Sequence, residues 1–220
     1  MAATLLIAAH GTVSAVGSAT TRALVDAVAA ARPGLQVKLC FLDVAVPTLA
    51  DTLDALDVDV VVVPLLLSAG YHVATDIPKI VEGRGSVRVA RHLGPDPLII
   101  GAARQRLTEA APAPGAHTVL AAIESSRESA REEVELARHE FEIMLGRPVA
   151  LLPLSSDMVS AVAELPTPVA VAVYLLAEGT FLSGLVEAVS DRGVVAAPLG
   201  VHPLLVQLIL DRYDETVAAR

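Results

Sequence analysis

Short apolar runs alternate with amphipathic segments along the chain. The runs TLLIAAH (4–10) and VDVVVVPLLL (58–67) have the length and composition of buried strands. The segment SATTRALVDAVAAARPG (18–34) carries apolar residues at helical spacing and ends in a Pro-Gly stop. Four such strand-helix pairs follow one another in the first half of the chain. This order predicts a parallel sheet with helices on its faces.

The same rhythm restarts after the Pro- and Gly-rich segment APAPGAH (111–117). Three segments of the second half repeat segments of the first half in the same order, at offsets of 106 to about 113 residues. They are VLAAI (119–123) over LLIAAH (5–10), YLLAEG (174–179) over LLLSAG (65–70), and PLGVHPLLV (198–206) over HLGPDPLII (92–100). Such ordered matches predict an internal duplication. Two unrelated α/β halves of similar rhythm remain the alternative.

We therefore expect an α/β protein of two similar lobes, each a four-stranded parallel sheet flanked by helices. The predicted boundaries are 1–112 for the first lobe and 113–220 for the second. The N-terminal run lacks the basic segment of a signal peptide and ends at His10, so we interpret it as the first strand.

Composition narrows the classes of function. Apolar residues make up 54% of the 220 residues, which is enough to bury a large core. The net charge of −9 argues against a general nucleic-acid binder. No apolar stretch approaches the roughly 20 residues that span a bilayer. The single cysteine, Cys40, allows no intrachain disulfide and is interpreted as a core residue. We expect a cytoplasmic protein without nucleic-acid or membrane partners.

Four polar residues of the first half follow predicted strands. His10, Asp43, His72 and His92 each come at or just after a strand end, and ligands bind beyond the carboxyl ends of parallel strands. Each also has a structural explanation, because a lone histidine is commonly a surface or core residue and Asp43 can cap a turn. Two imidazoles and one carboxylate with open positions form a known Fe(II) site. We therefore expect His10, Asp43 and His72 to bind a divalent metal.

The second half keeps the predicted strands of this site but lacks its two metal-binding histidines. In the repeat, Ile123 falls at the position of His10 and Phe181 at that of His72. The metal site at the strand ends is therefore predicted in the first lobe. The sequence contains no dinucleotide fingerprint, Walker loop, nucleophile elbow or paired cysteines. A small-molecule α/β enzyme such as a phosphatase remains an alternative.

Four segments of the first half, in order and spacing, resemble the sirohydrochlorin chelatases, in their long two-lobed form. They are LLIAAHGT (5–12), CFLDVAVPTL (40–49), VVVPLLLSAGYHVATDIP (61–78) and RHLGPDPLI (91–99). The resemblance implies insertion of Fe²⁺ or Co²⁺, as substrate, into sirohydrochlorin in siroheme or cobalamin biosynthesis, without ATP or an organic cofactor. It implies that His10 and His72 are catalytic and hold the metal with Asp43. A tetrapyrrole or metal carrier without catalysis remains the main alternative.

The resemblance also bears on substrate binding. Asp43 stands where relatives commonly have Glu, and Val13 and Tyr71 stand where they often have basic residues. We expect the macrocycle to lie in the cleft between the lobes and the protein to be a monomer. Residues beside the strand ends are expected to contact the macrocycle, namely Thr12, Ser14, Ser68, Gly70, Tyr71 and His92. Basic residues that are candidates to pair with its carboxylates are Arg22, Lys79, Arg84 and Arg91.

Overall fold

The computed structural model describes residues 2–219 and contains two four-stranded parallel sheets. The strand order is β2-β1-β3-β4 in one sheet and β6-β5-β7-β8 in the other. The predicted fold class, two four-stranded parallel sheets flanked by helices, is thereby confirmed. The strands are β1 (Thr4–Ala9), β2 (Val37–Phe41), β3 (Val60–Leu65), β4 (Val87–Val89), β5 (His117–Ile123), β6 (Val149–Leu154), β7 (Val169–Tyr174) and β8 (Gly193–Val195).

Helices connect the strands of each sheet, as parallel pairing of successive strands requires. A π-helical turn over His72–Asp76, called the π-turn below, leads directly into the third α-helix. The α-helices are α1 (Ala15–Ala31), α2 (Leu49–Asp54), α3 (Ile77–Val81), α4 (Pro97–Glu109), α5 (Glu128–Leu145), α6 (Met158–Ala163), α7 (Thr180–Val189) and α8 (Pro203–Ala218).

Strand registers repeat between the sheets at the offsets read from the sequence. Thr4 pairs with Val60 in the first sheet, and His117 pairs with Val169 in the second. The equivalent residues are 113 and 109 positions apart. Helices α4 and α8 also begin alike, because the side chains of Asp96 and His202 both accept a hydrogen bond from the amide two residues later. This correspondence supports the duplication.

The chain forms two compact units, whose composition does not follow a single cut in the sequence. Unit 1 comprises residues 1–94 and 201–220, and unit 2 comprises residues 95–200. Helix α8 therefore packs in unit 1, against β3 and α1, whereas α4 packs in unit 2, against β7 and α5. These units differ from the boundaries 1–112 and 113–220 because each sheet is covered by the terminal helix of the other repeat.

The core of unit 1 surrounds its two central strands. Every residue of β1 and β3 is buried, as expected for parallel strands covered on both faces. Cys40 lies in this core on β2, and burial raises the pKa of its thiol to about 12. It is thus a protonated core residue at neutral pH and does not offer a thiolate to a metal.

No helix within residues 2–219 has both the length and the apolar character needed to cross a membrane. The cytoplasmic location stays a prediction from the sequence.

Candidate metal centre

His10 lies immediately after β1, at the carboxyl end of the first sheet. The next residue, Gly11, has a positive φ of 98°. A Cβ atom at Gly11 would overlap the carbonyl oxygen of Asp43. Glycine is therefore needed for both conformation and space, and it lets the loop after β1 contact the loop after β2.

Asp43 is fixed beside His10 by its own backbone. Its amide donates to the carbonyl oxygen of His10 at 2.9 Å, two residues beyond the end of β2. The Oδ1 atom of Asp43 accepts a hydrogen bond from the amide of Val44 at 2.7 Å. Val44 has a φ of 60°, a conformation that is costly for a β-branched residue. The strained turn holds one carboxylate oxygen and leaves Oδ2 for a ligand.

His72 opens the π-turn that follows β3 and its loop. The amide of Ile77 donates to the carbonyl oxygen of His72, five residues earlier. Pro78 explains this wide turn, because in a regular α-helix its ring would clash with the carbonyl group four residues before it, at Ala74. Ile77 is buried in the core of unit 1 and anchors the segment. Single π-turns of this kind frequently occur at functional sites.

The three elements bring His10, Asp43 and His72 together. One ligand atom from each residue lies within 4.8 Å of those of the other two. The two imidazole rings meet edge to face, with centroids 4.8 Å apart and planes 80° apart. His10 and Asp43 are exposed and His72 is half-buried. The group is a preformed set of nitrogen and oxygen ligands that solvent can reach.

Hydrogen bonds determine which nitrogen each imidazole offers. Nδ1 of His10 lies 3.0 Å from the carbonyl oxygen of Gly11, and Nδ1 of His72 lies 2.7 Å from Oδ2 of Asp76. Carbonyl and carboxylate oxygens accept hydrogen bonds, so Nδ1 is the donor in both rings. In the neutral imidazole the lone pair then lies on Nε2. Both rings thus present Nε2 to a metal.

The residues beside the two histidines occupy several environments. Ser14 caps α1, since its hydroxyl accepts a hydrogen bond from the amide of Gly17 at 3.1 Å. The hydroxyl of Thr12 in turn accepts from the amide of Ser14 at 3.0 Å. These two hydrogen bonds cap the N-terminus of α1.

Tyr71 is the exposed aromatic residue next to the centre. Its ring centroid lies 6.1 Å from that of His72. Ser68 and Gly70 are half-buried in the loop between β3 and the π-turn, where the amide of Gly70 donates to the carbonyl oxygen of Ser68. These residues share the loop that carries His72 into the centre.

His92 and Arg84 are engaged elsewhere in unit 1. His92 is only 8% exposed, and its carbonyl oxygen accepts a hydrogen bond from Arg212 of α8. It is not one of the residues grouped around His10. Arg84 pairs with Asp54 at 2.7 Å and donates to the carbonyl oxygen of Ile80. Both residues therefore have structural contacts that their positions in the sequence did not indicate.

Sequence reasoning missed Asp76 and Gly11. Asp76 lies four residues after His72, a spacing that places two side chains on one helix face, so the pattern itself was visible. Gly11 directly follows His10, but its contact with Asp43 depends on the loop conformation and has no signal in the sequence.

The chain is similar to known proteins both in sequence and in fold. The CbiX family model matches residues 4–110. No curated protein matches the chain by sequence. Sirohydrochlorin chelatase SirB from Bacillus subtilis subspecies spizizenii, solved with cobalt, aligns with a TM-score of 0.83 and 21% identity, over 99% of this chain and 96% of that chain. SirB from Bacillus subtilis with Fe³⁺ aligns with a TM-score of 0.80 and 21% identity, over the same shares.

A third solved structure extends the similarity. CbiX, described as the terminal enzyme for siroheme biosynthesis in denitrifying bacteria, aligns with a TM-score of 0.67 and 20% identity, over 99% of each chain. At these identities the structural matches establish the two-sheet fold. The family model carries the assignment further, because residues 4–110 include His10, Asp43 and His72. Residues 4–110 of this chain are therefore similar to the CbiX family.

Proposed function

We propose that this protein is a sirohydrochlorin chelatase, which inserts Fe²⁺ or Co²⁺ into the tetrapyrrole without ATP. The observation that carries the proposal is the convergence of His10, Asp43 and His72, with ligand atoms within 4.8 Å of one another at an accessible edge of the first sheet. The match of residues 4–110 to the CbiX family model and the fold shared with the cobalt- and iron-bound SirB structures support it.

The ligand set suits an ion that must be released again. Two imidazole nitrogens and one carboxylate oxygen match the preferences of Fe²⁺ and Co²⁺, which are neighbours in the series of divalent metals. Three protein ligands leave coordination positions open to water or to the ring nitrogens of the substrate. A closed cage of four protein ligands would retain the metal, whereas this centre can transfer it.

Metal insertion also has to remove the two pyrrole protons of the macrocycle. Each of the two protonated ring nitrogens must lose its proton before its lone pair can bind the metal. Imidazole has an ordinary pKa of about 6.5, so in its neutral form it can bind a metal or accept a proton. As the metal passes to the ring, the Nε2 lone pairs of His10 and His72 become available to the departing protons. The same two residues thus serve metal binding and deprotonation.

The macrocycle is expected to lie over the exposed face of this centre. The ring of Tyr71, beside His72, offers an apolar and aromatic surface to a flat conjugated substrate. Thr12 lies in the loop after β1, and Ser68 and Gly70 lie in the loop after β3. These three residues are proposed as further contacts of the macrocycle. Holding metal and ring face to face raises their effective concentration, which replaces a slow bimolecular encounter.

Replacement of each histidine tests the proposal. His10→Ala and His72→Ala should fold normally and lose metal insertion by at least about 100-fold, since each removes a ligand and a proton acceptor. Insertion is followed anaerobically by the loss of the sirohydrochlorin absorbance bands on addition of Fe²⁺ or Co²⁺. His139→Ala is the matched control, because His139 is exposed on α5 in unit 2. Near wild-type rates in both active-centre variants would refute the proposed function.

A single-turnover measurement separates the enzyme from a carrier. Enzyme in excess over sirohydrochlorin is mixed with each metal ion in turn, and the rate is compared with that of metal and tetrapyrrole alone. An enzyme accelerates insertion over this uncatalysed rate, whereas a carrier binds the ring or the ion and leaves the rate unchanged. The relative rates with Fe²⁺ and Co²⁺ give the metal preference.

A further inference from the structure

Asp76 contacts the metal centre through His72. Its Oδ2 atom lies 2.7 Å from Nδ1 of His72, and both side chains are largely shielded, with 25% and 20% exposure. At 2.7 Å this charge-assisted hydrogen bond is short, and short charge-assisted bonds are strong. Asp76 does not itself belong to the group of ligands around His10.

The local fold directs this carboxylate towards the imidazole. Asp76 is the last residue of the π-turn and precedes α3, yet its side chain makes no capping hydrogen bond to that helix. The next residue, Ile77, is 1% exposed and fixes the backbone in the core. The carboxylate of Asp76 is therefore placed for His72 and not for the helix terminus.

We infer that Asp76 is a positioning residue, which holds His72 with Nδ1 protonated and Nε2 directed at the metal. The inference deepens the proposed function and rests on it. Without the carboxylate, the ring of His72 can rotate and can carry its proton on either nitrogen. Only the state with Nε2 unprotonated and facing His10 and Asp43 binds the same metal ion as those two residues. Asp76 also places a carboxylate behind the ligand, on the side of the ring opposite Nε2.

His10 provides an internal comparison. Its Nδ1 donates to a backbone carbonyl oxygen, that of Gly11, at 3.0 Å. A neutral acceptor fixes the tautomer without adding charge, and no side-chain replacement removes it. The two imidazoles are thus oriented by different hydrogen bonds, and of these two bonds only that of His72 is accepted by a side chain. Replacement of Asp76 should alter the nitrogen resonances of His72 and leave those of His10 unchanged.

The test compares three replacements of Asp76 with a matched control. Asp76→Ala removes the acceptor, Asp76→Asn keeps the size without the charge, and Asp76→Glu keeps the charge. Asp54→Asn is the control, because Asp54 also forms an ion pair in unit 1, with Arg84 at 2.7 Å. The readouts are the ¹⁵N tautomer signature of His72, the Kd for Co²⁺ from its visible absorption, and kcat and KM for sirohydrochlorin.

Loss of Asp76 should act on metal binding without unfolding the protein. We expect Asp76→Ala to show mixed tautomers of His72 and a Kd for Co²⁺ raised about 10- to 100-fold, with an unchanged KM for sirohydrochlorin. Asp76→Asn should lie between the alanine variant and the wild type, and Asp76→Glu should recover most of the affinity. Should the alanine variant fail to fold, the asparagine and glutamate variants carry the same comparison.

The outcomes separate this inference from the proposed function. A wild-type tautomer and wild-type Kd in Asp76→Ala would overturn the positioning role, even if the enzyme inserts metal. A changed tautomer and Kd, in a protein that never accelerates insertion, would support the positioning of His72 and refute the chelatase. An equal effect of Asp54→Asn would also overturn the inference, because it would show a general loss of stability in unit 1.

Discussion

Gly11 is the residue through which the loops of His10 and Asp43 contact each other. Its φ of 98° costs a non-glycine residue about 1–3 kcal/mol, and a Cβ atom would overlap the carbonyl oxygen of Asp43. We expect Gly11→Ala to lower the free energy of unfolding by more than the conformational cost alone. Because the added methyl group separates the loops of His10 and Asp43, Gly11→Ala should also weaken Co²⁺ binding. Urea denaturation and a metal titration measure these effects.

Gly34 offers the matched control for this prediction. It has a similar φ of 91°, but nothing lies within 4 Å of a Cβ atom built on it. Gly34→Ala should therefore show the conformational cost without the steric one, and its affinity for Co²⁺ should equal that of the wild type. Equal destabilisation in the two variants, with unchanged metal binding, would mean that the loops adapt to the added methyl group.

At the residue scale, the sequence predicted that His10, Asp43 and His72 lie together, but not which residues support them. His10, Asp43 and His72 could be found because each follows an apolar run that reads as a buried strand, and parallel strands end at one edge. The same argument selected His92, which is buried and lies three residues beyond the end of β4 at Val89. Asp76 acts through a side-chain contact, which the strand-end argument does not address.

The π-turn is the element that aims His72 at the centre, and Pro78 is the residue that enforces it. In Pro78→Ala the steric conflict with the carbonyl group of Ala74 is removed, so α-helical hydrogen bonds can extend back through the turn. We expect the direction of His72 to change and the Kd for Co²⁺ to rise by about tenfold, a loss typical of misplaced ligand supports. The free energy of unfolding should change by less than about 1 kcal/mol.

Pro97→Ala serves as the control for that experiment. Pro97 begins α4, where proline suits the first turn and no hydrogen bond is lost. Its replacement should change stability by a similar small amount and leave metal binding unaltered. If Pro78→Ala retains the Co²⁺ affinity of the wild type, the π-turn does not depend on the proline ring and another contact must hold His72.

The segment ATDIPKIVEG (74–83) has the apolar spacing and terminal glycine of a short helix, whereas the structure has a π-turn followed by α3. Apolar spacing indicates that a segment is helical but does not distinguish hydrogen bonds to the fourth residue from those to the fifth. The His-x-x-x-Asp-Ile-Pro order held the necessary information, since the proline excludes a regular helix at this point. The type of helix here follows from steric conflict and not from periodicity.

The exchange of α4 and α8 between the two units was not predicted. Both helices begin with the same cap followed by proline, Asp96-Pro97 and His202-Pro203, and both present apolar faces. Their sequences therefore fit either sheet, and local patterns do not say which one they cover. The duplication itself was readable, because buried strands must preserve register and apolar content in both copies. Which helix completes which unit is a property of the whole chain.

Deletion of residues 201–220 tests how far unit 1 depends on this exchange. Helix α8 buries five large apolar side chains, and each contributes roughly 1.5–3 kcal/mol on burial. They are Leu205, Leu208, Ile209, Leu210 and Tyr213. Their sum is comparable to the whole stability of a typical domain, about 5–15 kcal/mol. We therefore expect the shortened chain to lose hydrogen-exchange protection in β1 and β3, while β5 and β7 in unit 2 keep theirs.

Two further measurements make this prediction specific to α8. Asp214→Asn removes only the exposed pair that Arg32 forms with α8, a contact worth less than about 1 kcal/mol, so its exchange pattern should match that of the wild type. A peptide of residues 201–219, added to the shortened chain, should restore protection in β1 and β3, because it supplies the missing apolar face. If β1 and β3 stay protected in the shortened chain without the peptide, the first sheet is stable without α8 and the prediction is wrong.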